Sequence, residues 1–177
     1  MHLTDWIGYC EHKSMDRLHE FDENVGKGGY TVFAQMIWAR QHRNMQGLPW
    51  CATFVHAVID RPDVLGKAHP GSRVLMRRMK RRGLWRDKTY TPEPMDLVFC
   101  ANDRKRVDHV AIVEWSDGDT VSSIDGNSHD DKGRFAWQDG GVVTRCIRDI
   151  SDPIIIGYAA TGQFLHDMEV NGNDNHK

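Results

Sequence analysis

The first half of the chain repeats apolar residues every three or four positions, which is the spacing of helices that bury one face. This repeat predicts four helices, which begin near Leu3, Val32, Cys51 and Ser72. The breaker cluster at 46–49 precedes the third helix. Pro62 ends that helix, because proline lacks a backbone N–H and disfavours helical geometry in the residue before it. Gly83 is the expected stop of the fourth helix.

The second half changes to short runs rich in valine and isoleucine, separated by aspartate, glycine, serine and asparagine. These runs predict five strands, over 96–100, 109–115, 120–125, 142–147 and 153–159. Helices first and strands after are typical of an α+β domain with a mostly antiparallel sheet. The last residues, 166–177, are polar and form a tail that we expect to be disordered.

Size and composition fit one globular domain. The chain has 177 residues, 40% of them hydrophobic, which is enough to bury one core over 1–165. A net charge of -2 argues against a protein that mainly coats nucleic acid, and no apolar run approaches the roughly 20 residues that cross a bilayer. The start of the chain lacks the pattern of a secretory signal. We expect a monomer made in the cytoplasm, with no membrane insertion and no nucleic-acid partner.

The predicted fourth helix carries an excess of positive charge on its outer face. The basic residues are Arg73, Arg77, Arg78, Lys80, Arg81 and Arg82, followed by Arg86 and Lys88. Such a face is most often simply solvated, but it is also the type of surface that binds an anionic polymer. Both interpretations stay open at the level of the sequence.

Cys51 is the candidate nucleophile. It stands where the breaker cluster meets the third helix, and the unpaired N–H groups and dipole of a helix start favour a thiolate. A thiolate in this position is a competent nucleophile. The alternative is that Cys51 is one more small buried hydrophobic residue. No Cys-x-x-Cys pair is present, so we expect free thiols at Cys10, Cys100 and Cys146.

His109 is the candidate base, because it opens the apolar run of a predicted strand. The next strand returns through a hairpin and brings Asp125 and Asn127 beside it. With a two-residue turn at 117–118, the numbers of paired residues add up to 235, so His109 lies opposite Gly126. Asp125 and Asn127 then lie on the other face of the sheet. An odd loop or a bulge gives a sum of 236, and catalysis requires this second register. The alternative is that His109 and Asn127 only satisfy hydrogen bonds at strand ends.

No set of residues indicates a metal or another cofactor. Most of the remaining histidines lie in polar or loop positions, without a ligand spacing such as His-Glu-x-x-His. Asp22 and Asn24 carry oxygen atoms suited to calcium, but no loop with alternating oxygen ligands surrounds them. We therefore expect the protein to work without a cofactor.

Several motifs occur together in one order: Pro-Trp-Cys ending at Cys51, His-Val-Ala-Ile-Val starting at His109, and Gly-Asn at 126–127. With the segments at 29–34, 94–99, 141–145 and 155–158, they resemble a CHAP domain, the cysteine, histidine-dependent amidohydrolase/peptidase family of the NlpC and papain-like group. The resemblance covers about residues 3–162. It implies a papain-like α+β fold, in which N-terminal helices pack on a mostly antiparallel sheet of five to six strands.

The resemblance also implies roles for individual residues. Cys51 attacks a carbonyl carbon, and His109 takes the thiol proton and later protonates the leaving amine. Asn127 is the favoured residue for orienting His109, with Asp125 assisting at a position where the family commonly carries glutamate. A backbone N–H at the start of the third helix stabilises the oxyanion. Some CHAP domains bind calcium in an acidic loop before the cysteine, but residues 40–46 are basic here, so we expect no metal.

CHAP domains cleave peptidoglycan at the N-acetylmuramoyl-L-alanine amide or within its peptides. The resemblance therefore implies a peptidoglycan amidase or endopeptidase, either a phage or prophage endolysin or a related wall hydrolase. Endolysins often lack signal peptides because another protein releases them, so the expected site of action is the bacterial cell wall after release. Two alternatives stay open: a thiol peptidase or amidase of toxin or housekeeping type with another substrate, and a non-catalytic module that binds an anionic polymer through residues 73–88.

Overall fold

The computed structural model describes residues 2–102, 105–129 and 140–165, so the predicted tail at 166–177 lies outside the described residues. The helices are α1 (Val32–Gln41), α2 (Cys51–Ile59), α3 (Pro62–Leu65) and α4 (Ser72–Arg81), with 3-10 turns at Leu3–Trp6 and Gly162–Phe164. The hydroxyl of Thr31 caps α1 by accepting the N–H of Ala34 at 3.1 Å. Within these ranges no helix combines the length and the apolar character that crossing a membrane requires.

The first predicted helix is shorter than expected, because only a single 3-10 turn forms there. The backbone leaves the helical region at Gly8, whose φ is +93°. The chain then runs beside a strand, with Gly8 N–H bonded to the carbonyl of Val143 at 2.9 Å and Val143 N–H bonded to Tyr9 at 2.8 Å. Pairing between distant parts of the chain thus replaces the local helix that the apolar spacing predicts.

The strands form one antiparallel sheet, which confirms the α+β papain-like class. They are β1 (Trp85–Arg86), β2 (Leu97–Cys100), β3 (His109–Ser116), β4 (Thr120–Ser128), β5 (Val142–Asp149) and β6 (Ile155–Ala159). Their order across the sheet is β1-β6-β2-β3-β4-β5. The sequence pattern missed β1, because two residues are too few to show an alternation of apolar and polar positions.

The β3–β4 hairpin contains the bulge that catalysis requires. Its turn lies at Gly118 and Asp119, because Asp117 N–H bonds to the carbonyl of Thr120 at 3.2 Å. The register then shifts between residues 113 and 115, and beyond this bulge Ile112 pairs with Ile124. The two residue numbers of that pair add up to 236, which confirms the register that catalysis requires. The turn itself lies at 118–119, one residue later than the turn at 117–118 considered from the sequence.

Helix α2 is the central buried helix, and only one of its nine residues, Val58, is not fully buried. It packs between α1 and strands β3 and β4. Burial of a side chain such as Phe54 contributes about 1.5–3 kcal/mol to stability. Gly126 in β4 allows the helix to approach closely, because a Cβ atom there would lie 2.6 Å from Cβ of Phe54. The close packing fixes the start of α2 near the first residue of β3.

Candidate active site

Cys51 is the first residue of α2 and has only 4% of its surface exposed. The first backbone hydrogen bond of the helix runs from Phe54 N–H to the carbonyl of Trp50 at 2.8 Å. Within the described residues, the N–H groups of Cys51 and Ala52 have no hydrogen-bond partner. The thiol therefore lies at the positive end of the helix dipole, beside two N–H groups that are able to bind an oxyanion.

Two contacts from distant parts of the chain fix the segment that precedes Cys51. The indole N–H of Trp50 donates to Oε2 of Glu11 at 2.9 Å, and both side chains are buried. The side-chain amide of Gln46 accepts the N–H of Thr31 at 2.8 Å and donates to its carbonyl at 2.9 Å. These two bonds hold the side chain of Gln46 against the backbone of Thr31.

His109, the first residue of β3, lies beside two of the other predicted site residues. Its Nε2 donates to Oδ2 of Asp125 at 2.9 Å, and the thiol of Cys51 lies close enough to raise the pKa of its ring. Because Asp125 uses Nε2, the nitrogen left for the thiol is Nδ1. The structure thus brings the thiol of Cys51, the imidazole of His109 and the carboxylate of Asp125 together, in the order of groups that a hydrolytic triad requires.

The carboxylate of Asp125 is completely buried and accepts three hydrogen bonds. Besides the bond from His109, Oδ2 accepts Nη2 of Arg148 at 2.6 Å, and Oδ1 accepts the hydroxyl of Ser123 at 2.6 Å. Nη1 of Arg148 donates to the same hydroxyl at 2.8 Å, which closes a ring of hydrogen bonds. The network fixes both oxygens of Asp125 and therefore the orientation of the imidazole.

The charges of the site follow from these contacts. Burial lowers the pKa of His109, but the hydrogen bond with Asp125 and the interaction with Cys51 outweigh burial and raise it to about 10. Burial raises the pKa of Asp125, but the charge of Arg148 and the contact with His109 hold it well below its ordinary value. At neutral pH the imidazole is therefore protonated and the carboxylate ionised, so His109 carries a proton that it can give to a leaving group.

Asn127, the favoured orienting residue in the sequence analysis, does not hold the imidazole. Its backbone is left-handed, with φ at +58°, and the β4–β5 register shifts between Asp125 and Ser128. Among the described residues, its side chain makes no hydrogen bond to His109. Asn127 instead lines the cleft that contains Cys51 and His109. Of Asn127 and Asp125, Asp125 is the one whose side chain contacts Nε2 of His109.

The cleft in front of Cys51 has a volume of about 570 Å³. Its walls come from the loops before α1 and α2 and from the first residues of β3, with Glu11, Gly28, Leu48, Cys51, His109 and Asn127 among them. Cys51 and His109 are thus reachable from solvent on the side that an extended substrate would occupy. The described residues contain no cluster of three or more histidine, cysteine or acidic side chains arranged to hold a metal ion.

Sequence reasoning missed two residues of this site, Glu11 and Arg148. Glu11 lies 39 residues from Trp50 in sequence, and no local pattern connects them. Arg148 lies in β5 opposite Val121, and its long side chain reaches along the sheet to Ser123 and Asp125. Its position in the alternating pattern of β5 places it on the face of Asp125, but this signal becomes readable only once the β4–β5 register is known.

The remaining cysteines are unsuited to catalysis. Cys10 and Cys100 are buried, and Cys146 is partly buried. Burial raises the pKa of Cys100 to about 12, and burial also raises the pKa of Cys146. Cys100 and Cys146 therefore stay protonated at neutral pH, which makes them poor nucleophiles.

Residues 43–127 match the CHAP domain family, which confirms the resemblance over that range. The matched range contains Cys51, His109, Asp125 and Asn127, and the match indicates a hydrolase of the amidase or peptidase class. Among solved structures, "The crystal structure of Ly7917" matches with 20% identity and a TM-score of 0.31, over 45% of this chain and 32% of that one. The chain thus aligns with about a third of that protein's length. No curated protein matches the chain.

Proposed function

We propose that this chain, whose residues 43–127 match the CHAP domain family, is a cysteine hydrolase that cleaves an amide bond of peptidoglycan. The observation that carries the proposal is that Cys51, at the start of a buried helix, lines one cleft with His109, whose imidazole donates to Asp125. This arrangement supplies a nucleophile, a proton donor and an orienting carboxylate, which are the groups that amide hydrolysis by a thiol needs.

In the first half of the reaction, the thiolate of Cys51 attacks the carbonyl carbon, and a C–S bond forms. The carbonyl oxygen becomes an oxyanion that accepts the free N–H groups of Cys51 and Ala52. The imidazolium of His109 then gives its proton to the amide nitrogen as the C–N bond breaks. The amine leaves, and the acyl group remains on sulfur as a thioester.

In the second half, His109 is neutral and takes a proton from a water molecule as the water attacks the thioester. The C–S bond breaks, which releases the carboxylic acid, regenerates the thiolate of Cys51 and leaves the imidazole protonated. Asp125 stays ionised throughout, because Arg148 and His109 hold its pKa low. Its role is to keep the ring oriented and to stabilise the imidazolium.

The choice of peptidoglycan rests on the family match, since CHAP domains commonly act on that polymer. The open cleft of about 570 Å³ in front of Cys51 supports a peptide substrate. Within this proposal the protein is a phage or prophage endolysin, or a related wall hydrolase, that acts as a monomer on the cell wall after its release. The cleaved bond is either the N-acetylmuramoyl-L-alanine amide or a bond within the wall peptides.

The test is the clearing of purified bacterial walls by the wild-type protein and by Cys51→Ala. We expect clearing by the wild type and none by Cys51→Ala, with Cys146→Ala as a matched control that removes a thiol outside the site and keeps activity. New amino termini on L-alanine, together with free muramoyl carboxyl groups, identify an amidase, and new amino termini on other residues of the wall peptides identify an endopeptidase. Full activity of Cys51→Ala would refute the cysteine mechanism.

If the walls stay intact but other peptide amides are hydrolysed in a reaction that depends on Cys51, the substrate is another amide and not peptidoglycan. Binding of walls without any hydrolysis, unchanged in Cys51→Ala, would favour the non-catalytic alternative.

A further inference from the structure

The basic face of α4 divides into two parts that lie at different sites. Arg73 and Arg77 line a second cleft, with a volume of about 490 Å³, that also contains Cys51. Arg78, Arg81 and Arg82 line a different depression, near Gly66. The first pair therefore places two positive charges in a cleft that reaches the nucleophile.

Arg73 and Arg77 are available to bind a ligand. They are exposed and one helical turn apart on the same face of α4. In the described part of the chain neither makes an ion pair or a side-chain hydrogen bond, whereas Arg78 donates to the carbonyl of Lys67 and Arg82 donates to that of Asp63. Guanidinium groups bind carboxylates through paired hydrogen bonds, so an anionic group is the ligand that this pair fits.

The start of α4 adds uncharged donors to the same cleft. Gly71, the N-cap, supplies no side-chain cap, and the first turn has no acidic residue. Within the described residues, the backbone N–H groups of Ser72 and Arg73 have no partner, since the first helical bond runs from Val74 N–H to the carbonyl of Gly71 at 3.0 Å. Gly71, Ser72 and Arg73 all line the cleft, so the start of α4 forms part of its wall.

His69 lines the cleft as a further donor. Its Nδ1 accepts the N–H of Gly71 at 2.9 Å, so the proton of the neutral ring lies on Nε2. Burial and the charges of Arg78 and Arg43 lower the pKa of His69, which keeps the ring neutral.

One acidic side chain, Asp108, also lines this cleft. Its carboxylate accepts the backbone N–H of Asn102, with distances of 3.2 and 3.3 Å to its two oxygens. One negative charge against the two of Arg73 and Arg77 leaves the cleft positive. The apolar side chains of Leu48 and Pro49 complete a wall beside Cys51, which suits the carbon chain that links a carboxylate to an amide.

We propose that this cleft binds a free carboxylate of the substrate while Cys51 attacks a neighbouring amide carbonyl. The substrate class is then a peptide amide with a carboxylate close to the cleaved bond. This inference rests on the proposed function and deepens it, because it identifies Arg73 and Arg77 as residues that determine substrate specificity.

The test compares alkylation of Cys51 by iodoacetate, which carries a carboxylate, and by iodoacetamide, its neutral analogue. The rates are measured at Cys51 by peptide mapping, and the iodoacetate-to-iodoacetamide ratio isolates the effect of charge. We expect the double variant Arg73→Gln/Arg77→Gln to lower this ratio about tenfold, because the local positive potential falls. The imidazolium of His109 also attracts iodoacetate, but it is present in every variant and does not alter the comparison.

The double variant Arg81→Gln/Arg82→Gln is the matched control, since it also removes two charges, from the last residue and the C-cap of α4, and both residues line the other depression. It should leave the ratio unchanged. A ratio that is equal in the wild type and the double variant would overturn the carboxylate site and leave the face as a solvated or polymer-binding surface. No reaction of Cys51 with either reagent would instead refute the proposed function, so the two failures are distinguishable.

A pair of synthetic peptide amides extends the test to turnover, one with a free carboxylate near the cleaved bond and one with a carboxamide there. We expect the wild type to prefer the carboxylate peptide in kcat/KM and the double variant to lose that preference. A preference retained by the double variant would also overturn the inference.

Discussion

His109 and Arg148 share one oxygen of a buried carboxylate. Oδ2 of Asp125 lies 2.9 Å from Nε2 of His109 and 2.6 Å from Nη2 of Arg148. Asp125 therefore balances two cations with one charge, and the three groups together carry a positive charge when the imidazole is protonated. The carboxylate of Asp125 thus stabilises both cations, and each cation in turn lowers the pKa of Asp125.

Asp125→Asn should reduce kcat/KM by about 100-fold or more, because the imidazolium loses its orienting anion. Asn127→Ala should cost less than about tenfold, since Asn127 does not contact the ring. The measurement is amide hydrolysis by both variants well below their unfolding temperatures, with circular dichroism to verify folding. The opposite order of effects would return the orienting role to Asn127.

The rate of hydrolysis should fall at high pH as His109 loses its proton. The pKa of His109 is raised from 6.5 to about 10, so the alkaline limb of kcat/KM should lie near pH 10 in the wild type. The same raised pKa contributes stability that is fully present below pH 6.5 and is lost as the pH rises through about 10. In Asp125→Asn the alkaline limb should move toward neutral pH. A wild-type limb already centred near pH 7 would contradict a stabilised imidazolium.

Arg148→Met should make the protein more sensitive to acid. The pKa of Asp125 is depressed by Arg148, so its contribution to stability is present above pH 3.8 and is lost as the pH falls through the depressed value. Without Arg148 this loss begins at higher pH. Removal of one partner of a buried pair costs about 3–5 kcal/mol. An acid titration monitored by circular dichroism should show that Arg148→Met unfolds at a higher pH than the wild type. Arg145→Met, which removes an exposed arginine of the same strand, should unfold at the same pH as the wild type.

Glu11→Ala should destabilise the protein by about 1–3 kcal/mol, because the buried indole N–H of Trp50 loses its acceptor. Since Trp50 directly precedes Cys51, a loss of activity should accompany the loss of stability. Glu11→Gln keeps an oxygen for the indole and should have the smaller effect on both. Urea unfolding with activity assays on the same samples measures the two quantities. Equal stability of the two variants would show that this hydrogen bond contributes little.

The sequence predicts those parts of the site that depend on local signals. Cys51 follows a breaker cluster at an apolar helix start, and His109 opens an apolar strand, so both patterns are visible within about ten residues of the chain. The sequence shows that catalysis needs an odd loop or a bulge in the β3–β4 hairpin, but it does not show where a bulge lies. The position of a bulge depends on cross-strand packing as well as on the turn. The left-handed backbone at Asn127, beside the β4–β5 register shift, likewise cannot be read from the sequence.

The contacts of Glu11 and Arg148 are not predictable in this way. Each depends on a pairing between segments that are distant in sequence, and a single charged residue in a loop or an alternating strand is ordinarily a solvated one. Tertiary pairing also removed the first predicted helix, where Gly8 and its neighbours bond to the strand that begins at Val142 instead of to each other.

The distance between Cys51 and His109 depends partly on Gly126, because the lack of a side chain at this position lets α2 pack closely against β4 through Phe54. Any residue larger than glycine at 126 must push α2 away from β4, because its Cβ would lie 2.6 Å from both Cβ and Cγ of Phe54. The thiol would then move away from the imidazole, although no catalytic atom had been altered. In directed evolution of this protein, position 126 is therefore a poor choice for diversification, and Phe54 is the position whose shortening would create room for change there.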